Sequence, residues 1–333
     1  MKSSGKHILG VLLCGTMTGA IHAAQPAGPA TGLAETYPSK PLRIVVGFTA
    51  GGVADIAARI VATKLAENWK QQVIVDNRPG AGSAIGTGIV ANAEPNGYTM
   101  LSVSAAHAII PAVYSKLPFD SARDFAGVAV TATGPLLLIA SSKVGVKSVK
   151  ELIALAKSRP GQLNYASAGV GSATHFAMEV FKYQAGIDIV HVPYKGIPEA
   201  TTDTLTGRVQ LFISPLINAM PRVKDGKVVA LGVTTLFRSA LLPDVPTIAE
   251  AGLPGYRAES WQGLLVPAKT PRPIVAKLHA EITRILQEPE ARQRIAALGL
   301  VSPPTTPEEF DKFIRGEIAT YQKIARAGNI KAE

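Results

Sequence analysis

Apolar and polar positions along the chain alternate between two periods. Short apolar runs at residues 42–48, 72–76, 98–103, 128–130, 135–141, 163–167, 189–192, 209–213 and 228–233 read as strands. Segments with helical spacing separate several of them. Residues 148–158 put Leu152, Ile153 and Ala156 on one face, behind Ser148 as N-cap with Glu151 three residues on. Thr247 and Glu250 repeat that device, and Gly252 stops the short helix it predicts. Thr270-Pro271 and Thr306-Pro307 each set proline at the first helical position behind a threonine cap. The last helix then buries Phe310, Ile314, Ile318, Tyr321 and Ile324. Apolar strands separated by helices predict an α/β fold with parallel sheets covered on both faces.

The length of 333 residues fits two domains of about 100–200 residues each. Gly- or Pro-punctuated crossings at 131–135 and 256–261 divide the chain into one lobe of residues 37–134 plus 260–333 and another of residues 135–259. A chain that crosses twice between lobes leaves a cleft suited to hinge closure. Residues 25–36, rich in Pro, Ala and Gly, read as a flexible leader.

The first residues change the picture. Lys2, Lys6 and His7 precede an uncharged apolar stretch at 8–21, and small residues follow at Ala20, Ala23 and Ala24. This is the pattern of a cleavable secretory signal over residues 1–24, too short to span a bilayer comfortably, and it predicts a periplasmic protein. Leu13 stands before Cys14 where lipid attachment wants a small residue. Cys14 is the only cysteine, so the exported chain carries no disulfide and no thiol chemistry. The net charge of +10 is dispersed, with no run of five basic residues and no aromatic-basic stripe, which argues against nucleic acid.

Catalytic and cofactor patterns are weak. Beyond the signal only His107, His175, His191 and His279 remain, without metal-ligand spacing, so no metal and no cofactor is expected. A G-x-S-x-G elbow is missing. The run from Gly80 to Gly86 approaches the dinucleotide fingerprint G-x-G-x-x-G, but its third glycine falls one place late. Binding accounts for more. Turns just past predicted strands share one chemistry: Thr49, Gly51 and Gly52 with Asp55 and Arg59 a helical turn apart; Ser83; Ser104 and His107; Ser172, Thr174 and His175; and Tyr194 with Lys195. Hydroxyls, backbone amides and helix N-termini suit a small carboxylate held by neutral donors. Each residue has a structural alternative. Ser83, Ser172 and Thr174 equally suit helix caps, Asp55 equally suits pairing with Arg59, and Lys195 or Arg78 equally suits a buried carboxylate such as Asp203. Phe48 and Trp261 fit the core as well as a pocket wall.

At these residues the chain resembles a known family, the solute-binding receptors of tripartite tricarboxylate transporters, the Bug or TctC type. The segments that carry the resemblance are YPSKPLRIVVGFTAGGVADIAAR, VIVDNRPGAGSAIGT, PNGYTML, LNYASAGVGSATHFAMEVF, IVHVPYKGIPEATTDTLTGRVQLF, LPDVPTIAEAGLPGY and SWQGLLVPAKTP. It implies a two-lobed periplasmic binding protein of the type II kind, each lobe a mostly parallel sheet flanked by helices, closing on a small organic acid without catalysis. Carried over residue by residue, it implies ligand contacts from Phe48, Thr49, Gly51, Gly52 and Asp55 in the first turn. The other matching loops supply Ser83, Ser104, His107, Ala168, Ser172, Thr174, Tyr194 and Ser214. The implied partner is a membrane permease with one large and one small subunit, and the receptor is expected to be a monomer. A receptor feeding a sensor kinase and an exported hydrolase are the alternative readings. One departure stands out: the family turn reads F-x-P-G-G, whereas Thr49-Ala50 here loses the proline and adds a donor.

Overall fold

The structure, a computed structural model, describes residues 36–331; the expected signal and almost all of the leader lie outside them. Strand β1 (Leu42–Val46) pairs in parallel with β2 (Val73–Asn77) and with β3 (Thr99–Ser104). In the other lobe β5 (Asn164–Ser167) pairs in parallel with β6 (Val190–Pro193) and β7 (Leu211–Pro215). Helices connect these strands, as parallel pairing requires. Strands β4 (Phe125–Ser141), β8 (Val228–Val233) and β9 (Glu259–Pro267) pair antiparallel, so both sheets are mixed rather than mostly parallel. Antiparallel pairing arises where the chain changes lobes instead of folding back through a helix.

The 17-residue β4 joins the lobes. It pairs with β9 from Phe125 to Pro135, then with β7 and β8 from Leu136 to Ser141. The apolar pattern alone divides this strand in two and does not reveal β9. The intervening Thr131, Ala132, Thr133 and Gly134 look like a turn, yet they lie within the pairing with β9. The alternation along β4 shows how one strand serves two layers. Leu136, Leu138 and Ala140 enter the core under the helices of one face, while Leu137 and Ile139 enter a separate core on the other.

Ten helices flank the sheets among the described residues: α1 (Val53–Trp69), α2 (Ala84–Ala91), α3 (Ala106–Val113), α4 (Val149–Ser158), α5 (Ala173–Ala185), α6 (Ile197–Thr206), α7 (Leu216–Lys224), α8 (Arg272–Gln287), α9 (Pro289–Ala297) and α10 (Pro307–Ala327). None is long and apolar enough to cross a membrane. Ser148 caps α4, and Thr306 with Glu309 forms a capping box at α10. Two expectations fail. Thr247 and Glu250 do exchange capping hydrogen bonds of 3.0 Å, but they close a turn that ends at Gly252 rather than open a helix. At α8 the cap position falls on Pro271, one residue late for Thr270, whose hydroxyl is buried without a partner.

Helix α10 fastens the back of β9. Phe310 is fully buried, edge-on to Trp261 at 5.8 Å, and a Cβ on Gly263 would lie 2.3 Å from its ring. Phe310→Ala is expected to cost about 3–5 kcal/mol through the cavity it leaves, read as a lower urea midpoint with an unchanged slope.

Candidate ligand-binding cleft

The first turn is held by a carboxylate of its own. After β1 the chain passes Gly47 and Phe48, reaches Gly51 at φ +84°, and enters α1 behind Gly52. Asp55, 2 % exposed, accepts from Gly51 N–H at 3.0 Å, from the Asn77 amide at 3.0 Å and from the Arg59 guanidinium at 3.0–3.1 Å. Burial alone raises its pKa; those three donors outweigh burial and hold the carboxyl below its ordinary range. The same Asn77 amide donates to Phe48 O at 3.0 Å. Asp55 and Gly51 therefore shape the turn from behind and do not line the cavity. The N–H groups of the first turn of α1 have no intrahelical acceptor, and Gly52, Val53 and Ala54 present that turn to the cavity.

The other lobe supplies a matching helix start. Ser172 caps α5 by accepting from His175 N–H at 3.2 Å, and its hydroxyl lies 3.1 Å from that of Thr174. Thr174 Oγ1 also accepts from Ala168 N–H at 2.9 Å. Beneath this loop Tyr165, His175 and His191 stack, with the two imidazoles 4.2 Å apart. Gly171 N–H donates to His175 Nδ1 at 3.3 Å, and Ser167 Oγ joins Gly169 N–H to His191 Nε2. Burial, with Lys182 nearby, lowers the pKa of His175 to about 4. Burial, with His175 and Lys182, lowers that of His191 to about 3. Both rings are neutral acceptors or donors that shape the loop. His175 Nδ1 is engaged by Gly171 N–H, and the bond from His175 to Ser172 Oγ comes from its backbone N–H.

Between the lobes these elements enclose a cavity of about 50 Å³. Phe48, Thr49, Gly52, Ser104, Ala168, Ser172 and Thr174, all expected from the sequence, meet there. They are joined by Val53, Ala54, Ile197, Pro215, Ser260 and Gln262 among others. No lining side chain is charged, and the first residues of α1, α5 and α6 all contribute. Ser83 and Tyr194 line a neighbouring space of about 460 Å³, with Tyr114, Lys195 and Glu199; the two spaces share Phe48 and Ala168 as walls. His107 turns into the core with Nε2 2.9 Å from Ser121 O, and Ser214 is fully buried, donating to Pro215 O at 3.2 Å. Asp203 takes Arg208 and the Tyr194 hydroxyl, Arg78 takes Asp76, and Trp261 is core. Ser260 and Gln262 carry no signal in the sequence because β9 carries none. Among the described residues no group of acidic, His or Cys side chains is placed to hold a metal ion.

A family model described as "Tripartite tricarboxylate transporter family receptor" matches residues 57–330. The chain belongs to this family. It is 37% identical over 291 residues to the "UPF0065 protein in tcbD-tcbE intergenic region" of Pseudomonas sp. (strain P51), covering 87% of each chain. Among solved structures it is similar to "R. palustris Rpa4515 with adipate", at 35% identity and a TM-score of 0.85 over 89% of this chain and 99% of that one. It is also similar to "MatC (Rpa3494) from Rhodopseudomonas palustris with bound malate", at 32% identity and a TM-score of 0.83 over 86% and 99%. The fold is thus the two-lobed α/β fold of periplasmic binding proteins.

The hydroxyls of Ser104, Ser172, Thr174 and Ser260 that line the cavity are almost fully buried. Two glycines sit where the lobes touch. A Cβ on Gly196 would lie 1.8 Å from Thr49 Oγ1, and one on Gly82 would lie 2.0 Å from Val170 O. Gly196 has φ −172°, extended backbone open to any residue, so alanine there strains neither lobe by itself. Gly196→Ala is expected to leave the ligand-free melting temperature nearly unchanged and to weaken ligand binding at least about tenfold by wedging the cleft; calorimetry with small-angle scattering reads both.

The buried imidazoles set an acid limit. The unfolded chain takes up protons near pH 6.5, whereas His107 and His175 in the fold wait until about 4. The unfolded state holds more protons throughout that window. Stability is therefore complete above pH 6.5 and falls below it, by about 1.4 kcal/mol per pH unit for each histidine. Urea midpoints between pH 7 and 4 should show this slope, reduced in His175→Gln.

Proposed function

We propose that the chain is an extracytoplasmic solute-binding receptor that captures a small organic carboxylate between its lobes. It hands that ligand to a tripartite permease of one large and one small subunit. One observation carries the reading: the cavity gathers helix N-termini from both lobes and contains no charged side chain. Unpaired N–H groups and aligned peptide dipoles favour an anion there, and hydroxyls of Ser172 and Thr174 add neutral donors. In this reading the smaller space takes a carboxylate head. The remainder of the ligand extends past Phe48 and Ala168 into the 460 Å³ space. Adipate and malate, bound by the two solved relatives, both have this head-and-tail form. The N-terminal pattern of basic, apolar and small residues supports export by a cleavable signal, and the monomer suits a protein whose two lobes complete one site.

A thermal-shift panel of mono-, di- and tricarboxylates tests the reading, since a ligand of the folded state alone raises the melting temperature. Succinate, malate, adipate or citrate should raise it, with the corresponding methyl esters inert. No shift with any carboxylate, and no acid carried through purification in native mass spectrometry, would overturn it. Ser172→Ala is expected to weaken binding and also to cost about 1 kcal/mol of stability, because the same hydroxyl caps α5.

A further inference from the structure

One polar residue lining the cavity does not fit a site built only to donate. Ser260 and Gln262 stand on the same face of β9, two residues apart, while Trp261 between them points into the core behind. Gln262 lies directly across from Ser104 of β3 in the antiparallel register, and both line the cavity. It is 3 % exposed. Its Nε2 donates to Ser260 Oγ at 3.1 Å, and its Oε1 is buried without a partner.

The neighbouring hydroxyls have the opposite character. Ser104 Oγ accepts from Ala106 N–H at 3.3 Å, Ser172 Oγ from His175 N–H, and Thr174 Oγ1 from Ala168 N–H. A backbone donor thus occupies an acceptor side of each hydroxyl; one proton of the Ser172–Thr174 pair lies between those two oxygens, and the others are left to donate. A bare carboxylate satisfies such protons but offers nothing to an amide oxygen, which can only accept. A buried acceptor left unpaired in the complex weakens binding.

We infer that Gln262 is a specificity-determining residue, selecting carboxylates that carry a hydrogen-bond donor, a hydroxyl or an ammonium, on a carbon close to the bound carboxylate. That proximity follows from the place of Gln262 on the wall of the same cavity as the helix starts of α1 and α5. The inference rests on the carboxylate reading proposed above and names the ligand class within it: 2-hydroxy or 2-amino acids over their unsubstituted counterparts.

Matched pairs test it by calorimetry at pH 7: malate against succinate, and 2-hydroxyadipate against adipate. In the wild-type protein the hydroxylated member of at least one pair should bind about tenfold tighter or more. In Gln262→Leu and Gln262→Met, which keep the volume and lose the acceptor, that preference should fall below about threefold. Equal or tighter binding of the unsubstituted acids by the wild type would overturn the inference, since it would mean that the amide presents its NH2 group instead. A preference retained in both variants would overturn it as well. The wild-type comparison stands even where a variant fails to fold. Binding of acids without hydroxyl preference defeats only this inference, whereas failure of every acid to bind defeats the carboxylate reading beneath it.

Discussion

The antiparallel pairing of β4 with β9 is the constraint on which the rest of the receptor depends. The first part of β4, from Phe125 to Pro135, runs against β9 before β4 passes on to pair with β7 and β8. A strand that takes part in both ladders in this way fixes two sheets to one shared element. It also sets the floor of the cleft. Side chains alternate along a strand, so Ser260 and Gln262 face the ligand space only because Trp261 is pinned on the opposite face by Phe310. Packing at the back of the hinge and polarity at its front are consequences of one register.

The chemistry of the cavity stems from what it costs to bury charge. A buried cation without its ligand would be an unpaired charge in the ligand-free receptor, and its desolvation is expensive. Helix N-termini avoid this cost. Their partial charges are fixed in the backbone and need no counter-ion when the cleft is empty. Asp55, behind the first turn, is sequestered by Arg59, Asn77 and Gly51, so its charge supports the turn. The stacked imidazoles of His175 and His191 support the loop of the other lobe while remaining neutral at working pH.

Much of this was legible in the sequence, for identifiable reasons. Ile44, Val45 and Val46 form an unbroken apolar run that ends in glycines, and a strand feeding a helix is the economical reading of such a run. Ser172, Thr174 and Ala168 stand at helix-start spacing, and they do meet Thr49 and Gly52 across the cleft. Strand β9 is hidden because Glu259, Ser260, Gln262 and Gly263 imitate a polar connection; they are strand because β3 and β4 flank them, which is long-range information. His107 looks like a ligand donor in a Ser-Ala-Ala-His turn. Its ring is drawn instead to a core carbonyl on Ser121 and packed against Phe125. Local pattern gives a residue's type and neighbourhood, and the direction of a side chain is decided by what packs against it.

The change from proline to Thr49-Ala50 in the first turn now has a structural context. A proline-stiffened turn presents fixed backbone to the opposite lobe, whereas here Thr49 fills the space above the bare backbone of Gly196 and reaches Glu199 at 3.5 Å. The turn is held from behind, where Asp55 bonds to Gly51 and Asn77 to Phe48. The side chain gained is placed at the closing surface. The turn that lines the cavity is also the part of its lobe that meets the other lobe at Gly196. The bare backbones of Gly82 and Gly196 are what let the two lobes come this close.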